Sequence, residues 1–285
     1  MRSKIIRLGH GGGGRLTGEL IRQLFLPAWS NPALAALGDS ARLDLEGQKV
    51  AFTTDSYVVS PPFFPGGDIG KLAVCGTVND LAVAGARPEF LSCGIILEEG
   101  FPVAQLERIV ASMQAAAAEA GVQIVTGDTK VVGKGKGDGV FINTSGLGRI
   151  VYDPLGTEHI RPGDQVLVSG LLGDHALAVL KARGEFALEY EIESDCAPLN
   201  GLIGSFLDPR CGVRFMRDPT RGGLAAALCE IATDQPWGIR LVEESIPVRK
   251  TVAGLCEVLG YDPLTLANEG KVVVINFWAT WCPSC

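Results

Sequence analysis

The sequence predicts a mixed α/β (α+β) protein in two parts, and three observations carry that prediction. Runs rich in β-branched and aromatic residues alternate with longer apolar stretches of helical period along the whole chain. Near the middle, at "DPLGTEHIRPGD", the composition turns to Pro, Gly and charged residues, a plausible boundary between domains. A length of 285 residues with 47% hydrophobic side chains is enough for two cores of ordinary size.

Taken in order, "KVAFTTDSYVV" (Lys49 to Val59) alternates and reads as a strand with Asp55 inside it. A Pro/Gly loop follows, and Ile69 to Ala84 carries a helical pattern with Lys71 near its start and Asn79-Asp80 within it; Pro88 is expected to close that segment. "EFLSCGIILEEG" is a second strand. Val103 to Ala120 is a helix ending at Gly121, a suitable C′ residue. "VQIVTGDTKVV" is a third strand, expected to break at Gly127-Asp128, and "GVFINTSGLGRI" is a fourth.

In the second half, "QVLVSG" is a strand and "LLGDHALAVLKARG" a short helix opened by Asp174. "SDCAPLNGLIGSFL" is expected to be helical, and "VRFMRDPTRGGLAAALCEIATD" runs from strand through tight loop to helix. "PVRKTVAGLCEVLG" is a helix closed by Gly260, and "DPLTLANEGKVVVIN" returns to a strand.

Composition narrows the function classes. The formal charge is −7 and Lys/Arg form no cluster, which argues against a nucleic-acid partner. No apolar run approaches the roughly 18 residues a membrane span needs. The first residues lack the apolar core of a signal peptide, so a cytoplasmic location is expected. Of the 8 cysteines, only Cys282 and Cys285 are closely spaced; the others read as reduced thiols, and a structural zinc site is not expected.

The informative excess is glycine, 37 residues, often beside an acid: "PGGDIG", "TGDTK", "KGDGV", "LGDHA". Such pairs are ordinary turn chemistry. They are also what a polyphosphate–metal site uses, with backbone amides for phosphate and carboxylates for cations. "GHGGGGRL" leaves the amides of Gly11, Gly12, Gly13 and Gly14 free for an anion nest, or forms a flexible arm; it matches neither a P-loop nor a dinucleotide fingerprint. Asp55, Asp80 and Asp128, each expected to be half-buried, read either as Mg²⁺ and phosphate ligands or as unrelated turn and cap carboxylates. Lys71 and Lys130 are cationic groups available to phosphates. "RDPTRGGLAAAL" sets Asp218 and Arg221 in a loop feeding a helix N-terminus. Asn268 and Glu269 precede the last strand. His159 and His175 read as surface or helix-face residues.

Together "GHGGGGRL", "TDSYVVSPPFFPGGDIGKLAVCGTVNDLAVAGARP", "LSCGIILEEG", "VTGDTKVV", "SDCAPL", "RDPTRGGLAAAL" and "LGYDPLTLANEGK" resemble the HypE family of hydrogenase maturation factors. That family lies in the superfamily of aminoimidazole-ribotide synthetase and selenophosphate synthetase, and the likeness runs from about Ile5 to Lys271. It implies a two-domain fold: residues 1–155 for ATP binding and dimerisation through a shared β-barrel, and 156–272 for a C-terminal domain. It also implies ATP-dependent dehydration of a thiocarbamate, carried on a C-terminal cysteine, to a thiocyanate that supplies cyanide to a nickel–iron hydrogenase centre. ATP and Mg²⁺ are the implied cofactors. A homodimer, the carbamoyltransferase HypF and a HypC–HypD scaffold are the implied partners. Carried over, Asp55, Asp80 and Asp218 match metal and phosphate positions. Lys71, Asn79, Asp128, Thr129, Lys130 and Arg221 match nucleotide-site segments, and Gly11 to Gly14 a covering arm. Lys130, Glu269 and Cys285 are the expected catalytic set.

The likeness stops near "EGKVV". Residues 273–285, ending "INFWATWCPSC", resemble the first strand and active-site turn of a thioredoxin-like oxidoreductase. No helix follows to activate the first cysteine of the pair. The C-terminal domain is therefore expected to be incomplete, with apolar surface left open. Competing readings are a nucleotide-binding but catalytically impaired factor, a thiol–disulfide oxidoreductase using Cys282 and Cys285, and a selenophosphate-synthetase-like enzyme.

Overall fold

A computed structural model of the chain describes residues 6, 14–29, 31–184, 189–233 and 235–276. The first of these form short helical pieces that the periodicity did not reveal: α1 (Arg15–Leu20), a π-turn (Ile21–Phe25), α2 (Leu26–Ala28) and α3 (Pro32–Ala35).

The strand expected around Asp55 is β2 (Gln48–Tyr57), paired with a preceding β1 (Ala41–Leu45). Ala51, Thr53 and Tyr57 are buried while Phe52 and Thr54 are exposed, the alternation of a strand covered on one face. A short hairpin, β3 (Phe63–Phe64) and β4 (Gly67–Asp68), leads into α4 (Ile69–Val83). Asp68 caps α4 by accepting from the backbone N–H groups of Gly70 (2.7 Å) and Lys71 (3.1 Å). Every α4 residue except Lys71 is buried, so α4 is a core helix rather than an amphipathic one. Gly76 is required on it: a Cβ there would lie 2.3 Å from the Tyr57 hydroxyl oxygen.

The sheet continues with β5 (Ala86–Glu98), α5 (Val103–Ala120), β6 (Gln123–Val132) and β7 (Val140–Ile150), in the order β1-β2-β7-β5-β6. All pairs are antiparallel except β5 with β6, which the α5 crossover makes parallel. Helix α5 ends at Gly121 in the left-handed region, φ 70°, as its sequence predicts. With α4 it builds a core from Ile69, Val74, Val78, Ile109 and Met113 against Leu91 and Ile142.

The second half holds β8 (Gln165–Val168), α6 (Asp174–Arg183), α7 (Asn200–Phe206), β9 (Val213–Arg217), α8 (Gly223–Thr233), α9 (Lys250–Leu259) and β10 (Val273–Asn276). Its strands form an antiparallel sheet of order β8-β10-β9. Leu224, Leu228 and Ile231 of α8 pack with Val273 and Ile275. A further cluster joins the halves, setting Ala82 and Val83 of α4 with Tyr152 against Val213, Met216, Val272 and Val274. No helix among the described residues is long and apolar enough to cross a membrane.

Three local expectations are corrected. Strand β6 runs unbroken through Gly127-Asp128; the irregularity lies earlier, where the β5–β6 register shifts between Leu91 and Ser92. Pro88 does not close α4 but lies within β5, beside a register shift between Pro88 and Phe90 that spares a ladder hydrogen bond. Helix α7 begins only at Asn200, because Pro198 disfavours helical backbone before it and the Ser194 hydroxyl engages the chain instead, accepting from the Cys196 N–H.

Candidate active site

The end of α4, the inner face of β2, the loop after β9 and the turn before β10 meet at the seam between the halves. Asp80 comes from α4 and is buried; its Oδ2 accepts from the Thr53 hydroxyl at 2.8 Å. Asp55, on the same inner face of β2, accepts from the Tyr57 hydroxyl at 3.1 Å. Asp218 follows β9, and Glu269 sits in the turn entering β10.

These acids are close enough to shift one another. Burial pushes the Asp80 carboxyl well above the usual range, and the negative charges of Asp218, Asp55 and Asp39 push it further. Asp218 rises well above its ordinary value for the same reasons: burial first, then Asp39 and Asp55, against the opposing Arg217. Glu269 also rises well above the ordinary range through burial, Asp218, Asp195 and Asp55, with Arg221 opposing. Asp55 is raised by burial, against its Tyr57 hydrogen bond and Arg221.

Asp39 belongs to this group and no motif in the sequence marks it. It pairs with Arg217 at 3.3 Å, and Arg217 also holds Glu230 at 2.8 Å. A carboxylate in the irregular stretch before β1 carries no periodic signal; only the folded chain brings it to Arg217.

Asn79 and Asn268 are framework rather than open donors. The Asn79 amide donates to the carbonyls of Ala197 (3.1 Å) and Glu269 (3.2 Å), and its oxygen accepts from the Leu199 N–H at 2.7 Å. Asn268 accepts from the Gly173 N–H at 2.7 Å and donates to the carbonyls of Pro219 (3.1 Å) and Leu266 (2.8 Å). Arg221 donates to the Ser56 carbonyl at 3.4 Å, and Lys71 to the Gly66 carbonyl at 3.3 Å. His175, read as a surface or helix-face residue, lies on helix α6 and is buried beside Glu269, with Nε2 3.9 Å from Oε1. His159 is part-exposed, next to Glu158.

Asp128 and Lys130 do not join this cluster. In the β5–β6 register Asp128 pairs with Gly94 and Lys130 with Ile96, whereas Asp55 aligns through Thr144 and Cys93 with Gly127. Side chains alternate along a strand, so Asp128 and Lys130 lie on the opposite, outer face of the sheet from Asp55. They pair with each other at 3.1 Å and line a shallow outer hollow of about 250 Å³ with Ser56, Ile96, Phe141 and Asn143. Asp128 is well exposed rather than half-buried, and Thr129 is exposed too. Gly14 precedes α1 and is exposed. Gly11, Gly12, Gly13, Cys282 and Cys285 lie outside the described residues.

Among the described residues no three Asp, Glu, His or Cys side chains form a ready-made metal cage. The donor set nevertheless suits a hard cation that keeps phosphate and water ligands: buried carboxylate oxygens in excess of the cations offsetting them.

Comparison with known proteins places the chain in a family. Residues 37–150 match the N-terminal domain, and 161–276 the C-terminal domain, of AIR synthase related proteins. The chain is 53% identical over 281 residues to carbamoyl dehydratase HypE of Rhodobacter capsulatus, covering 96% of this chain and 82% of the relative. The crystal structure of a HypE–HypF complex superposes with a TM-score of 0.85 at 51% identity, covering 90% of this chain and 84% of that one. HypE in complex with ATP superposes with a TM-score of 0.78 at 51% identity, covering 95% and 81%. The chain belongs to the HypE carbamoyl dehydratase family of AIR synthase related proteins.

Proposed function

We propose that this chain is an ATP-dependent carbamoyl dehydratase, converting a thiocarbamate on a C-terminal cysteine of its own into a thiocyanate for the maturation of nickel–iron hydrogenases. The observation that carries this reading is Glu269, a largely enclosed acid with a raised pKa set among phosphate- and metal-type carboxylates in a chain half-identical to named carbamoyl dehydratases.

An amide oxygen leaves poorly until it is phosphorylated, so ATP first converts it into a phosphate leaving group. Asp55, Asp80 and Asp218 are the proposed holders of Mg²⁺, which when bound would neutralise phosphate charge. Arg221 and Lys71 are proposed to hold the nucleotide with Gly11 to Gly14. Asn79 is assigned the main chain of Glu269 rather than the nucleotide itself. A carboxylate with a raised pKa is a suitable base near neutral pH, and Glu269 is assigned the N–H protons lost as the nitrile forms. Cys285 is assigned as the carrier.

A homodimer is part of the proposal. The outer face of the five-stranded sheet exposes Phe52 (44%), Phe90 (40%), Ile96 (42%) and Leu147 (37%), and β6 is exposed along its edge. Pairing two such faces into a barrel would cover them and give Asp128, Thr129 and Lys130 a place at a shared nucleotide site. HypF is the proposed carbamoyl donor and a HypC–HypD scaffold the proposed acceptor.

The test is intact-mass analysis after incubation with HypF, carbamoyl phosphate and ATP. A carbamoyl adduct that loses water only when ATP is present supports the proposal, and peptide mapping identifies the cysteine that bears it. Nucleotide binding without any adduct would exclude it.

A further inference from the structure

Behind Glu269 lies a buried polar relay that no step above uses. His175, in the first turn of α6, is 6% exposed and packs edge-on against Phe64, with ring centroids 5.4 Å apart. Its Nδ1 is 2.8 Å from the Ser194 hydroxyl oxygen, and its Nε2 faces Glu269 Oε1 at 3.9 Å. The surrounding chain fixes all three groups. The Ser194 N–H donates to the Pro65 carbonyl at 2.8 Å, and Glu269 N–H donates to Asp195 Oδ1 at 3.2 Å. The Gly173 N–H, just before α6, donates to Asn268, the neighbour of Glu269, at 2.7 Å.

One tautomer of His175 links the three groups in a continuous chain. Ser194 Oγ already accepts from the Cys196 N–H at 3.1 Å, so its own hydrogen is available to His175 Nδ1. When Ser194 donates it to Nδ1, the ring hydrogen sits on Nε2, aimed at the Glu269 carboxylate. Burial holds the imidazole pKa down to about 4, against the opposing charge of Asp195, so the ring is neutral at pH 7. A neutral donor here orients Glu269 without neutralising it. At 3.9 Å the contact exceeds hydrogen-bond length, as such contacts commonly do before substrate arrives.

We propose that His175, backed by Ser194, is a positioning residue that aims the Glu269 carboxylate at the substrate nitrogen. The inference rests on the assignment of Glu269 as the base. In the final step the Glu269 carboxylate takes the imino N–H proton, the nitrogen electron pair completes the C≡N bond, and the C–O pair departs with phosphate. His175 neither gains nor loses a proton overall.

The experiment is single-turnover conversion of preloaded thiocarbamate to thiocyanate, followed by intact mass over a range of ATP concentrations. His175→Leu, which fills space without an N–H, should slow the maximal rate about tenfold to a hundredfold, the scale of lost orienting contacts. Half-saturating ATP and carbamoyl loading should not change. His175→Gln, which keeps an N–H near the Nε2 position, should recover most of the rate, and Ser194→Ala should fall between the two. Equal rates for the Leu and Gln variants would overturn the inference, because packing alone would then account for the residue. A wild-type rate in Glu269→Gln would remove the base assignment, and this inference with it. A dead Glu269→Gln beside a fully active His175→Leu would remove this inference alone.

Discussion

The side-chain amide of Asn79, deep in α4, donates to the main-chain carbonyl of Glu269 at 3.2 Å, joining residues 190 apart in sequence. One amide thereby sets the candidate base of one half against the core helix of the other. Asn79→Ala would leave the Ala197 and Glu269 carbonyls and the Leu199 N–H without this partner. Loss of about 2–4 kcal/mol of stability should follow, read from denaturant midpoints at constant slope. An unchanged midpoint would show that water replaces the amide.

Asp80 lies among like charges, so function and stability should pull in opposite directions there. Asp80→Asn removes a carboxyl that burial and Asp218, Asp55 and Asp39 disfavour as an anion, and its amide oxygen still accepts from Thr53. The ligand-free variant should melt higher than wild type. Affinity for ATP with Mg²⁺ should fall about tenfold or more, roughly 1.4 kcal/mol, by titration calorimetry. Full affinity in Asp80→Ala would remove Asp80 from the proposed metal site.

His175 gives the protein a defined acid sensitivity. Its pKa is lowered to about 4, below the ordinary histidine value of 6.5. A base depressed on folding contributes stability that is present above the unfolded pKa and lost as pH falls through the folded one. That loss spans the window from about pH 6.5 to about pH 4 and is worth at most about 3 kcal/mol. In His175→Gln this part of the stability–pH curve should flatten, as measured by chemical denaturation across the window.

Gly270 allows the closest approach in the seam. A Cβ there would stand 1.7 Å from the Asp195 carbonyl oxygen, which is backbone and cannot swing aside. Gly270→Ala should therefore shift the adjoining Glu269, lowering the dehydration rate and destabilising the fold by about 2 kcal/mol or more. A wild-type rate and melting temperature would show that the turn yields without moving Glu269.

The outer sheet face supplies the test of assembly. Phe52→Glu and Ile96→Lys place charges where the proposed dimer buries apolar side chains. Light scattering should report monomers, and ATP-dependent dehydration should be lost with the partner's share of the nucleotide site. Monomeric variants that retain full activity would confine the site to one chain.

The sequence by itself determined the alternation of strands and helices, the limits of α5, the family, and the acids of the site as residue types. Those signals are local: side-chain period, a glycine after a helix, and long motifs such as "ANEGK" and "RDPTRGGLAAAL". Tertiary structure alone decided which motif residues meet. Asp55, Asp80, Asp218 and Glu269 converge because α4 is buried on all sides and anchors both halves. Asp128 and Lys130 fall on the opposite face because β6 continues without the break expected at Gly127. Asp39 and His175 gained their places from partners distant in sequence, Arg217 and Glu269. Local spacing records the period of an element and its ends. Long-range packing decides which carboxylates leave water, and burial together with mutual repulsion gives these acids their raised pKa values.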